Sequence, residues 1–145
     1  MDKRMLLIKG GPRSDGATGR MLDYLYRYAT DNGWNCHRID LYEKTIAPCT
    51  GCRTCRQTGI CVVKDDISEL RDLFISSGLI VLGAPTYFAN VPGPVKNMFD
   101  RLSGAILDEK ARPRFNKYKR YIILTACGTP APWDRLTGQS TGALR

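Results

Sequence analysis

Short apolar runs alternate with stretches of helical periodicity along this chain, and that alternation restricts its fold more than any other feature. Leu79-Ile-Val-Leu82 is apolar at four successive positions, as expected of a strand covered on both faces rather than wet on one. Residues 5–8 and Tyr121-Ile-Ile-Leu124 have the same character, and residues 34–41 read as a further strand. Between them, residues 18–32 carry Met21, Leu22, Leu25, Tyr28 and Ala29 at helical spacing, and Asn32-Gly33 closes that helix. Asp66 with Glu69 three residues on resembles a capping box. It opens a helix with Ile67, Leu70, Leu73 and Phe74 inward, ended by Gly78. Another helix starts at Pro94 and sets Val95, Met98, Phe99 and Leu102 on one stripe. Strands alternating with helices imply right-handed βαβ units, hence an α/β, doubly wound parallel sheet with helices on both faces.

With 145 residues the chain reads as one domain, able to bury about two-thirds of the surface its unfolded form exposes. It needs no disulfides to fold. The N-terminal apolar run is four residues long and lacks a cleavage-site pattern, so it reads as a first strand and not a signal peptide. No segment approaches transmembrane length. The expected compartment is the cytoplasm, where six cysteines are metal-binding or redox groups more naturally than a disulfide framework.

Four of the six fall within thirteen residues: Cys49, Cys52, Cys55 and Cys61. Two-residue gaps followed by a fourth thiolate are typical of iron–sulfur ligation. Structural zinc usually joins two C-x-x-C knuckles a dozen or more residues apart, whereas here Cys52 would serve both pairs. Cluster, zinc and metal-free thiols all stay open on spacing alone. Cys36 and Cys127 read as small buried residues. The single histidine, His37, excludes a histidine-dependent triad or a histidine-rich metal site, and reads as a partly buried edge residue.

Ligands in doubly wound sheets sit beyond the carboxyl ends of the strands. Those ends lead into residues 10–18, the cysteine loop, residues 85–94, and residue 126 onward. Taken together, Gly10-Gly-Pro-Arg-Ser-Asp-Gly-Ala-Thr18, the cysteine loop running into Asp65-Asp66, and Gly83-Ala-Pro-Thr-Tyr-Phe-Ala-Asn-Val-Pro-Gly-Pro-Val-Lys-Asn-Met-Phe-Asp-Arg101 resemble the NAD(P)H-dependent flavin reductase and iron–sulfur flavoprotein family. The resemblance implies a flavodoxin-like fold that binds FMN and forms dimers or tetramers. The FMN phosphate would lie at Gly11, Pro12, Arg13, Gly16, Ala17 and Thr18, where a helix N-terminus favours an anion. Read without the resemblance, the same glycines also suit a tight strand-to-helix turn. Pro85, Thr86, Tyr87 and Phe88 would lie against the flavin ring, Asn90 and Val91 near its edge, and Ala126, Cys127 and Gly128 on the other side. Tyr87 and Phe88 equally suit a loop filling or a subunit interface. The family usually has serine where Gly11 stands and asparagine where Ala17 stands, so two polar contacts to the phosphate are missing here.

The implied activity is FMN-dependent electron transfer between NAD(P)H, or a reduced carrier, and an acceptor, with no side chain acting as acid or base. A [4Fe-4S] cluster on Cys49, Cys52, Cys55 and Cys61 would split electron pairs into single transfers. The alternative is a cluster-free flavin or quinone reductase; a zinc or nucleic-acid-binding domain is more remote. Lys96 and the Asp100-Arg101 pair belong to the same motif but fall on a helix, which makes them structural, with Arg101 salt-bridged. The net charge of +8 includes a run of Lys110, Arg112, Arg114, Lys117, Lys119 and Arg120. It reads as solvated surface, or as a patch steering a nicotinamide dinucleotide or an acidic electron carrier such as ferredoxin. Nucleic acid ranks last, because no helix-turn-helix, RNA-binding aromatic signature or zinc-finger spacing accompanies it. The domain is expected to span residues 1–145, with the cysteine loop inserted after the second strand. After Leu124 no fifth strand is legible, and a final helix is expected near Thr141, as if the fold were cut short.

Overall fold

The computed structural model describes residues 3–115 and 118–129, together with Trp133. Its elements are β1 (Arg4–Lys9), α1 (Ala17–Asp31), β2 (Asn35–Asp40), α2 (Thr54–Thr58), α3 (Ile67–Ser76), β3 (Leu79–Pro85), α4 (Gly93–Ile106) and β4 (Arg120–Ala126). The strands form one parallel sheet in the order β2-β1-β3-β4. β1 and β3 are central and almost wholly buried, which is why their apolar runs do not alternate with polar residues.

Successive side chains of a strand point to opposite faces, and β1 divides its residues accordingly. Met5 and Leu7 join Leu22 and Ala29 of α1, while Leu6 and Ile8 join Leu70 and Phe74 of α3 and Val95, Met98 and Leu102 of α4. α1 therefore covers one face and α3 with α4 the other. Gly10 lets the end of β1 close on α4, since a Cβ there would stand 2.3 Å from Val95 Cγ2.

The structure departs from the sequence expectations in several places. Asp66 does not cap α3: its carboxylate accepts from the Thr45 N–H, and the Ile67 N–H is taken by Asp65 Oδ1 instead. His37 is exposed, because β2 is an edge strand, and Cys36 and Cys127 are half-buried. The basic run is not one patch. Lys119 turns in to donate to the Ile75 and Ser77 carbonyls at the end of α3, Arg114 donates to the Arg56 and Gln57 carbonyls at the end of α2, Arg112 pairs with Asp108, and Arg120 lies over the Trp34 ring. Lys117 and the helix expected near Thr141 lie outside the described residues.

Candidate functional site

The sheet order reverses direction between β1 and β3, and the loops that leave these two strands flank a crevice at that point. A cavity of about 350 Å³ occupies it, lined by Gly11, Pro12, Arg13, Gly16, Ala17, Thr18, Pro85, Thr86, Tyr87, Ala126, Cys127 and Gly128. The size falls within the range of ligand pockets, about 300–1,000 Å³. The structure thus brings together twelve of the fifteen residues expected at a flavin site, from three separate loops.

Each loop contributes differently. α1 begins at the cavity with Gly16 at its N-cap, no side-chain cap and no acidic residue in its first turn. Its leading N–H groups have no intrahelical acceptor, so this end is electropositive and suited to an anion. Thr18 is buried with its hydroxyl facing Gly11, and Arg13 folds back across Gly16. The loop after β3 is tied to the end of β4, Thr86 N donating to the Ala126 carbonyl at 3.0 Å and the Thr86 and Thr125 hydroxyls meeting at 2.8 Å. That tie brings Cys127 and Gly128 to the cavity that the loop between β1 and α1 also lines.

Phe88, Asn90 and Val91 do not line the cavity. Tyr87 and Asn90 form an antiparallel bridge around Phe88 and Ala89, both at positive φ, the backbone of a type I′ turn. Phe88 is fully exposed at its tip, and Asn90 Oδ1 accepts from the Val91 N–H. Two residues outside the cavity lining also escaped the sequence reading. Burial raises the pKa of Tyr42, and the neighbouring Tyr87 and Asp40 raise it further, which sets Tyr42 beside the aromatic loop. Lys9, at the end of β1, is a buried cation paired with Asp40 at 2.6 Å. Neither had a motif to reveal it.

The cysteine loop is a folded unit. Gly51, Arg53 and Gly59 adopt left-handed conformations around the short helix α2, which carries Cys55. Cys49 and Cys52 are exposed, whereas Cys55 and Cys61 are half-buried. The Cys52 thiol is pulled below its ordinary pKa by the Thr54 N–H and hydroxyl. Burial pushes the Cys55 thiol up, and the charges of Cys61, Cys49 and Cys52 push it further, so the four sulfurs are within electrostatic reach of one another. Among the described residues, however, no three ligating side chains converge closely enough to hold an ion. The donor set fits a thiolate-ligated centre in chemistry alone. Its sulfurs are not drawn in to one point.

Three residues of α4 serve this loop. Asn97 Nδ2 donates to the Ile46 carbonyl at 2.7 Å. Arg101, 2% exposed, grips Asp65 with both terminal nitrogens and also donates to the Ala47 and Val63 carbonyls. At Gly104 a Cβ would stand 2.3 Å from the Cys55 sulfur, so the missing side chain is the notch that this thiol occupies. The salt bridge expected for Arg101 is present; Asn97 and Gly104 went unseen, although their spacing from Arg101 along one helix face was available in the sequence. Lys96 and Asp100 form an exposed pair four residues apart.

The fold and this edge-of-sheet cavity together define a flavodoxin-like α/β protein. Solved structures agree on the fold: an NAD(P)H:quinone oxidoreductase from Methanothermobacter marburgensis superposes with a TM-score of 0.75 at 15% identity, covering 94% of this chain and 72% of that one. An FMN-dependent NADH-azoreductase from Bacillus anthracis, solved in complex with FMN, gives 0.67 at 14% identity over 88% and 70%. The family model of NADPH-dependent FMN reductase matches residues 3–139, and the chain belongs to that family. Among curated relatives, an iron–sulfur flavoprotein of Archaeoglobus fulgidus is 36% identical over 95 residues, 66% of this chain and 43% of that protein. One from Methanocaldococcus jannaschii is 31% identical over 98 residues, 68% of this chain and 51% of that protein. The chain spans about half the length of these relatives.

Proposed function

We propose that this chain binds FMN in the crevice between the loops leaving β1 and β3 and passes electrons between NAD(P)H and an acceptor. Bound FMN would supply hydride acceptance and stepwise electron release. The observation that carries the reading is the joining of three carboxyl-edge loops around one cavity at an uncapped helix N-terminus with no acidic residue in its first turn. In that arrangement the first turn of α1, Thr18 and Arg13 hold the phosphate. Pro85 and Tyr87, with Cys127 and Gly128 beside them at the end of β4, line the space for the ring. The chain need only bind, orient and exclude water, because among the described residues no histidine or carboxylate lines the cavity.

The cysteine loop is assigned an iron–sulfur cluster held by Cys49, Cys52, Cys55 and Cys61, supported by the names of the curated relatives and by the four-sulfur donor set. An acidic single-electron carrier such as ferredoxin is the corresponding partner, and Phe88, exposed on its turn, suits the interface of a dimer or tetramer. The second reading is a cluster-free NAD(P)H-dependent flavin or quinone reductase, favoured by the lack of convergence of the sulfurs.

Anaerobic purification with flavin, iron and acid-labile sulfide analysis decides between them. Flavin with iron and sulfide supports the first, and flavin alone the second. A protein that takes up no FMN in titration would end both.

A further inference from the structure

We infer that Asn97, Arg101 and Gly104 form a seat on α4 for the cysteine loop, with Arg101 the positioning residue that closes the loop and presents its remaining N–H to the Cys61 side. One guanidinium holds both ends: Nη1 donates to the Ala47 carbonyl at 2.5 Å, two residues before Cys49, and Nη2 to the Val63 carbonyl at 3.2 Å, two residues after Cys61. Asp65, 7% exposed at its side chain, receives both nitrogens at 2.8 and 2.9 Å and itself accepts the Ala47 N–H at 2.9 Å. The loop is thereby cinched at its neck. Asn97 and Gly104 stand four residues before Arg101 and three after it, on a face adjoining the core stripe of Val95, Met98 and Leu102.

The seat offers more than closure. Arg101 Nε is buried and has no partner, and a buried donor of this kind is normally satisfied. Cys61, two residues before the Val63 carbonyl that Nη2 holds, is the loop cysteine whose charge acts on this guanidinium, and no hydrogen bond between them is closed. A fixed cation and an N–H beside a ligating sulfur favour the more negative, reduced state of a thiolate-bound centre and raise its potential. α4 starts at Gly93, directly after the aromatic loop, and Arg101 lies eight residues on, about 12 Å along the axis. One helix thus sets the distance between the flavin loop and the cysteine loop.

The test uses Arg101→Lys, which keeps the charge but loses the fork, and the pair Arg101→Met with Asp65→Leu, which removes both buried charges together and keeps the experiment open if Arg101→Met alone does not fold. Amide hydrogen exchange needs no bound metal. Residues 47–65 should exchange at least tenfold faster in both variants, with β1 and β3 unchanged. Equal exchange in the loop, or acceleration spread evenly over the sheet, overturns the seat. The electrostatic part rests on the cluster reading and is tested separately, after anaerobic reconstitution with ferrous iron and sulfide. Arg101→Lys should retain FMN, bind less labile sulfide and show a more negative cluster potential than the wild type. An identical potential and sulfide content overturns the Cys61 role. Wild-type protein that takes up no iron or sulfide ends the cluster reading, while the exchange result still decides the seat.

Discussion

Asp65 organises more of the molecule than its place in an acidic pair suggests, since one carboxylate accepts from Ala47 N, Ile67 N and both terminal nitrogens of Arg101. Burial alone would raise its pKa, but Arg101 and the two backbone N–H groups more than offset that and hold it low. The folded value is then below the unfolded value of about 3.9. The associated stability is present above pH about 4 and lost as pH falls through the folded pKa, because the unfolded state binds the proton first. Urea midpoints measured from pH 6 downward should drop below that point. Asp65→Asn should flatten the drop and cost about 3–5 kcal/mol at neutral pH by leaving Arg101 uncompensated. At the junction of β1 and α1, the two departures from the family pattern differ in consequence. A Cβ at Gly11 would meet Pro85 Cδ at 3.0 Å, so serine there requires the proline to give way, whereas Ala17 is exposed on the cavity wall. Ala17→Asn should therefore tighten FMN by about 0.5–1.5 kcal/mol, and a fluorescence titration showing no gain would place the phosphate away from α1.

At the scale of elements, α4 has two faces with different duties, and Gly104 shows which dominates. Alanine in a helix interior is favoured over glycine by about 1 kcal/mol. Overpacking costs about 1–3 kcal/mol, and the new Cβ would sit 2.3 Å from the Cys55 sulfur. The clash should win: Gly104→Ala is expected to lower the melting temperature and to leave Cys55 more readily alkylated, both measurable on metal-free protein. The apolar face of α4 was legible because core residues recur at helical spacing, and so were β1 and β3 because buried parallel strands are apolar throughout. α2 was not. Thr54-Cys-Arg-Gln-Thr58 has no apolar period, and its carbonyl end is held by Arg114 from fifty residues away or more, a contact that only the tertiary fold supplies. The turn at Phe88-Ala89 was hidden for another reason: positive φ is normally advertised by Gly or Asn, and here neither is present.

For the molecule as a whole, the fold sorts six cysteines into three environments that spacing alone could not separate. Cys36 packs against the cluster under α1, Cys127 lines the cavity at the end of β4, and Cys49, Cys52, Cys55 and Cys61 share the loop seated on α4. No residue of that loop lines the cavity, so the two centres should fail independently. Changing any of the four loop cysteines to serine should remove most of the iron and sulfide from anaerobically prepared protein while FMN stays bound. Cys127→Ser should do the reverse, shifting flavin affinity or absorption and leaving iron and sulfide in place. Cys36→Ser should affect neither, its cost confined to stability because it exchanges a half-buried sulfur for a hydroxyl among apolar neighbours. Parallel FMN, iron and sulfide assays on the set check all three at once. Loss of FMN in Cys52→Ser would show that the loop and the crevice form one site, contrary to their separation along α4.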